Sequence, residues 1–299
     1  MTFIEFIGTI LSALGVSIAG IWALGDKWAS NQFKKNLEGH KGKVKLDVED
    51  RLDAKSAQRS YEFEGRKRLY HTIGPLRFQL LLAARDLARH IQTHGLKRYE
   101  YDLTPSNYYG ASTLFRLVRP LALSELIERQ TTYADFSIDP EAVDLLRFKS
   151  SIYEAFTDNS AIYSHPEASW DEQIEHIFSQ SLGIISNVAI VGENKTEDRV
   201  MRFHEFSQFI SSKENLKTLH PLPSQLSQFT ISKMPLYWVR LVCVGSLCAS
   251  FVNKHGSQIG FEQIEFNRRE LLKLCDDKYV AENLEQLALA HEEIAQRGL

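Results

Sequence analysis

The sequence predicts an all-α protein: one N-terminal transmembrane helix followed by a multi-helix cytosolic domain. Three observations lead there. Residues Phe3 to Gly25 form an apolar run holding one charge, Glu5. At ~1.5 Å rise per residue, such a run crosses a hydrocarbon core of ~30 Å. Downstream, helix starts and stops recur, and no stretch alternates convincingly with period two. The chain has 299 residues and a formal net charge of −3. The body is therefore long enough for its own core and has no global nucleic-acid signature.

The organisation predicted is a transmembrane helix over residues 1–25, a juxtamembrane neck over 26–45 and a helical cytosolic sensor domain over 46–299. A cleaved secretory signal would begin with basic residues and carry a shorter apolar core. No Lys or Arg precedes this run, whereas Lys27, Lys34, Lys35, Lys41, Lys43 and Lys45 follow it. The positive-inside rule puts the N-terminus outside and the body in the cytosol, with Trp22 and Trp28 at the inner interface. Within the span, Glu5, Gly8, Ser12, Gly15, Ala19 and Trp22 recur every three or four residues and share one helical face. Small residues let helices approach closely in lipid, and a carboxylate among them belongs in a bundle interior or a wet lumen. This stripe points to a self-associating seam and a homo-oligomer in membrane lipid. The competing reading is a simple anchor, since glycine is common in membrane helices.

Gly39 to Lys45 reads as a break in the helix leaving the membrane. A charged helix is expected over 46–70. Gly74-Pro75 then restarts the chain into a helix ending near Thr93, whose core face is Leu76, Leu80, Ala83, Ala84, Leu87 and Ile91. Lys97 to Tyr109 is a polar connection, and 112–130 is helical with Pro120 inside it. Asp139-Pro140-Glu141 starts a helix ending near Thr157, and Ser169 to Glu172 has the spacing of a capping box. Further helices are expected over 197–211, 236–253, 260–274 and 277–296, with loops at 192–196 and 220–223. The apolar stretch Pro235 to Val252 competes as a second span. A central Arg240 costs ~2.5–3.5 kcal/mol in a bilayer, so a buried core helix explains it better.

Chemistry of the enzymatic kind is sparse. There is no Gly-x-Gly-x-x-Gly, no P-loop and no Gly-x-Ser-x-Gly elbow. No catalytic residue, metal site or cofactor is assigned. His90 and His94 share a helix face, a spacing that binds metals, but they read more simply as surface residues favoured by a helix C-terminus. Cys243, Cys248 and Cys275 form no Cys-x-x-Cys pair. A hydrolase with a dispersed site stays open on sequence grounds.

A local basic cluster is more informative. Between Arg59 and Arg98 there are nine basic and three acidic residues, interleaved with tyrosines. Arginine forks bind phosphate and aromatic rings stack on bases. The ligand residues expected are Arg66, Arg68, Arg85, Arg89, Tyr108, Tyr109 and Arg116, for a nucleotide or short oligonucleotide. Two readings compete with this one: contact with anionic lipid, and pairing with Glu282, Glu285, Glu292 and Glu293.

The runs Gly74-Pro75-Leu76, Ala83-Ala84-Arg85-Asp86-Leu87, Ser112-Thr113-Leu114-Phe115 and Glu125 to Arg129 resemble a widespread set of bacterial proteins. These share an N-terminal span and an all-helical cytosolic region. The resemblance covers roughly residues 1–157. The architecture also resembles membrane effectors of antiphage systems, including the Hailong-type channel effector. That likeness implies a partner nucleotidyltransferase that makes a nucleotide signal, and a response that changes inner-membrane permeability. No ligand residue is carried over from it. The alternative is a membrane-tethered helical scaffold that recruits a protein partner and has no channel activity.

Overall fold

The computed structural model describes residues 3–97, 102–131, 140–160, 162–192 and 198–299. Almost all of them are helical: eleven α-helices and one two-residue ladder lie among the described residues. The chain divides into two compact units, Met1–Glu64 and Gly65–Leu299.

The first unit is the N-terminal part of helix α1 (Phe3–Lys97). Of the expected seam positions, the side chains of Glu5 and Ser12 are described and exposed. Gly8, Gly15 and Ala19 are described only as helical backbone, and their surroundings lie outside the described residues. Trp22 and Trp28 are exposed. The break expected at Gly39 to Lys45 is absent, because Gly39 and Gly42 stay helical with open space around them. A glycine costs only ~1 kcal/mol against alanine in a helix interior. Once a helix is nucleated, Lys, Glu and Leu neighbours carry it across such positions. Lys45–Glu49 (3.9 Å) and Arg51–Asp47 (3.1 Å), each one turn apart, add modest support.

In the second unit, α1 buries Leu80, Ala83, Ala84, Leu87 and Ile91. Gly74-Pro75 does not restart the chain, since α1 passes through Pro75. Proline removes one intrahelical bond, and the buried face beginning at Ile73 holds the helix on both sides of it. Helix α2 (Tyr108–Thr131) opens with the Asn107 side chain accepting from Gly110 N (2.7 Å) and contains Pro120. Helix α3 (Pro140–Thr157) runs as expected, while its anticipated cap Asp139 lies outside the described residues.

The capping-box spacing at Ser169 misleads. Ser169 Oγ accepts from Asp171 N, and Asp171 Oδ1 accepts from Gln173 N, so both side chains close turns two residues on and no helix starts. Helix α4 (Ser179–Val188) follows. Then β1 (Ile190–Val191) pairs antiparallel with β2 (Arg199–Val200), Ile190 opposite Val200. The helix expected from 197 begins only at α5 (Phe203–Ile210). Glu205 fixes that start, because its carboxylate takes Arg202 N and both ends of the Arg199 guanidinium, each at 2.7 Å. Helices α6 (Lys213–Lys217) and α7 (Leu222–Gln228) come next. The loop expected over 220–223 is therefore partly helical, with Pro223 in the first turn of α7, where its missing N–H costs nothing.

Helix α8 (Pro235–His255) is the central core helix. It alone among the described residues is long and apolar enough to cross a membrane, yet most of it is buried in protein. Arg240 is 3% exposed and donates to Phe156 O (2.9 Å), Asp158 O (2.8 Å) and Asn159 Oδ1, the acceptors at the end of α3. Residues 260–267 are not the expected helix. Gly260 takes a left-handed φ of +81°, and the Asn253 amide clamps both backbone groups of Ile264 at 2.8–3.0 Å. Helix α9 (Arg268–Leu272) starts only after the Asn267 cap. The last expected helix is split into α10 (Lys278–Glu282), capped by Asp277, and α11 (Leu284–Arg297), which packs on α8 and α3.

Candidate anion-binding site

Helix α2 puts Tyr108, Ser112, Phe115, Arg116 and Arg119 at spacings of three and four, so they share a face. The opposite face, with Leu114, Leu117 and Leu121, is in the core. Together with Ala83 and Asp86 of α1 and Phe203 of α5, the Tyr108–Arg119 face lines a pocket of about 210 Å³. Its aromatic wall is a pair of edge contacts, Tyr108–Phe203 at 5.6 Å and Phe115–Phe203 at 5.5 Å between ring centres, and Phe115 is backed by the buried Phe206 ring at 5.3 Å.

The charges in this pocket are unbalanced. Among the described residues Arg116 donates only to its own helix, to Ser112 O (3.1 Å) and Ser112 Oγ. Arg119 lies over the Phe115 ring at 5.9 Å. Neither guanidinium has a carboxylate hydrogen-bonded to it among the described residues. Burial pulls the Arg119 pKa below its ordinary value, opposed by the charge of Asp86. Asp86 is itself engaged by Arg85 (3.1 and 3.2 Å). Two partly desolvated cations beside π-faces make a site complementary to an anion that carries a ring.

The structure brings Tyr108 and Arg116 of the expected ligand residues into this pocket and places the others elsewhere. Arg85 turns to Asp86 and to the Phe261 ring (5.1 Å), and Arg89 reaches Glu262 at 3.8 Å. Tyr109 faces His94, their rings 6.3 Å apart. Arg66 is on an exposed turn of α1, and the Arg68 side chain lies outside the described residues. Arg119, Phe115 and Phe203 were missed. The first two follow from the period of α2, which places them with Arg116. Phe203 joins only through the packing of α5, which no local pattern encodes. The acids considered as partners for the basic cluster are taken up elsewhere, with Glu285 on Arg269, Glu292 on Arg268 and Glu282 on Lys278.

His90 and His94 are not surface residues. With Phe229, Trp238, Leu117 and Leu241 they line a second, apolar cavity of about 20 Å³, room for roughly one water. Thr113 Oγ1 donates to Tyr109 O (2.8 Å), so His90 Nε2, 2.8 Å from Thr113 Oγ1, is the donor of that pair. Burial first, then the charges of Arg116 and His94, push His90 down to about 3. Burial does the same for His291, again to about 3. No group of three His, Cys, Asp or Glu able to hold a metal ion is found among the described residues. All three thiols are buried and held protonated by that burial.

These histidines set an acid sensitivity. The unfolded chain protonates them near 6.5, and the folded chain does not until about 3. The associated stability is complete above pH 6.5 and is lost as pH falls from there, at roughly 1.4 kcal/mol per pH unit per histidine. The urea midpoint should drop markedly between pH 7.5 and 5, and His291→Leu should flatten that slope. A midpoint independent of pH would contradict the neutral, buried assignment.

Compared with protein-family models, with curated proteins and with solved structures, the chain matches none.

Proposed function

We propose that this chain is a non-enzymatic membrane effector of the bacterial inner membrane, N-terminus outside. Its helical body binds a nucleotide signal, and its assembled spans change membrane permeability, in antiphage defence. The observation that carries the ligand part is the pair Arg116 and Arg119, free of carboxylate bonds among the described residues, in an aromatic-walled pocket. A phosphate fits the guanidiniums, and a base fits the face of Tyr108 or Phe203. The membrane part is supported by the apolar run 3–25, its flanking lysines and its small-residue stripe. Asp86 of the pocket and the run 3–25 both belong to α1. Ligand acts on the spans only to the extent that it binds open and closed assemblies with different affinity.

The test is ion release from vesicles carrying the full-length protein, with mononucleotides and short oligonucleotides added on the body side. A nucleotide-dependent change in flux supports the reading. Specific nucleotide binding with no flux under any condition leaves a tethered module. Gly8→Leu with Gly15→Leu is expected to abolish both oligomer formation and toxicity in cells, because a leucine at either position holds neighbouring spans apart. Survival of both properties would overturn the seam.

A further inference from the structure

The pocket beside α2 is chemically polarised. Its α2 side carries the guanidiniums of Arg116 and Arg119, and its α1 side carries Ala83 and Asp86, one helical turn apart. Ala83 is buried and offers only a methyl group. Asp86 is the one carboxylate that lines the pocket among the described residues.

The two oxygens of Asp86 are not equivalent. Oδ1 takes both bonds from the Arg85 guanidinium, at 3.2 and 3.1 Å. Oδ2 accepts no hydrogen bond among the described residues. Arg119 feels the charge of Asp86, yet the two form no ion pair among the described residues. The Asp86 side chain is 41% exposed and within reach of a ligand.

A carboxylate at this place works against a ligand that is anionic throughout. It repels phosphate while Arg116 and Arg119 attract it. It suits a ligand that is negative at one end and carries N–H donors at the other. A nucleotide has that polarity when its base bears an exocyclic amino group, as adenine, guanine and cytosine do and uracil does not. An ionised carboxylate only accepts hydrogen bonds, and accepting from a base amino group is how acidic side chains read base edges. The aromatic wall does not make this choice, because Tyr108, Phe115 and Phe203 can stack on any base. Selection among bases therefore falls to the polar group on the α1 side.

We infer that Asp86 is the specificity-determining residue of this pocket: its Oδ2 accepts from an exocyclic amino group of the base while Arg116 and Arg119 hold the phosphate. This rests on the reading of the pocket as a nucleotide site, and the two are separable by experiment. The full-length protein in detergent is titrated calorimetrically with the monophosphates of adenosine, guanosine, cytidine and uridine. Three analogues that lack only the amino group are run beside them: purine riboside, inosine and zebularine monophosphates. The tightest ligand should bear an amino group, and removing that group should weaken it at least about tenfold, the scale of one hydrogen bond to a charged acceptor. In Asp86→Ala that preference should fall below about threefold. The amino-less analogue should bind Asp86→Ala no more weakly than it binds the native protein, because a charge that repels its phosphate is gone.

A tightest ligand without an amino group, an analogue that binds as well as its parent, or a preference that survives Asp86→Ala would each overturn the inference. In all three cases nucleotides still bind, and the reading of the pocket as a nucleotide site stands. An equal loss of affinity for parent and analogue in Asp86→Ala leaves their ratio unchanged, marks Asp86 as a structural partner of Arg85, and likewise overturns the inference. Failure of every one of these monophosphates to bind the native protein would overturn the nucleotide reading and the inference with it.

Discussion

Arg116→Glu in the full-length protein is expected to lower nucleotide affinity by at least about a hundredfold, and Arg119→Glu by a comparable factor. Removing one partner of a desolvated charged contact costs roughly 2–5 kcal/mol, and reversal adds repulsion of phosphate. Both side chains line the pocket, and neither bonds a carboxylate among the described residues whose release would compensate. Arg89→Glu is the matched control. Its guanidinium sits at the surface beside Glu262, 3.8 Å away, so affinity should change little. Titration of a fluorescent nucleotide, with the circular dichroism spectrum checked for each variant, reads both effects. Equal losses for Arg89→Glu and Arg116→Glu would mean that general surface charge, not the pocket, attracts the ligand. No loss for either pocket variant would remove the pocket from the function.

Arg240→Ala is expected to destabilise the body by about 3–5 kcal/mol, read as a large fall in the denaturant midpoint. The scale is that of leaving backbone acceptors without their donor and opening a cavity in the core. Arg240 satisfies the buried carbonyl of Phe156 and the partly buried carbonyl of Asp158 at 2.9 and 2.8 Å, and its loss takes that donor from both. The sign of the result is also diagnostic. An arginine inside a membrane-crossing α8 would be a liability, and its removal would favour insertion. A protein stabilised by Arg240→Ala would contradict the role of Arg240 as the clasp on the end of α3, and one that unfolds earlier would support it.

The helical class, α2, α3 and α8 were legible from the sequence because their signals are local. They are periodic apolar faces, a proline at the start of α3 and an unbroken apolar run around Arg240. Breaks and starts were the weak point. Gly39, Gly42 and Pro75 carry breaker chemistry, but helix cooperativity outweighs about 1 kcal/mol at each glycine, and burial from Ile73 onward outweighs about 3 kcal/mol at Pro75. Conversely, Ser169 and Gly260 lie in stretches with helical patterns that distant or competing bonds prevent, as the Asn253 clamp on Ile264 shows.

The sequence by itself determined that the protein is helical, that residues 3–25 are an apolar run followed by lysines, and that basic side chains interleaved with tyrosines cluster between Arg59 and Tyr109. Composition and period suffice for those properties. Only the tertiary structure decided which of those side chains share a pocket. It drew Arg85 to Asp86 and Tyr109 to His94, left Arg116 and Arg119 with no hydrogen-bonded carboxylate among the described residues, and supplied Phe203 from nearly ninety residues further along the chain. The physical reason is that a site is defined by which charges remain uncompensated after packing, and compensation is settled by neighbours in space, not in sequence.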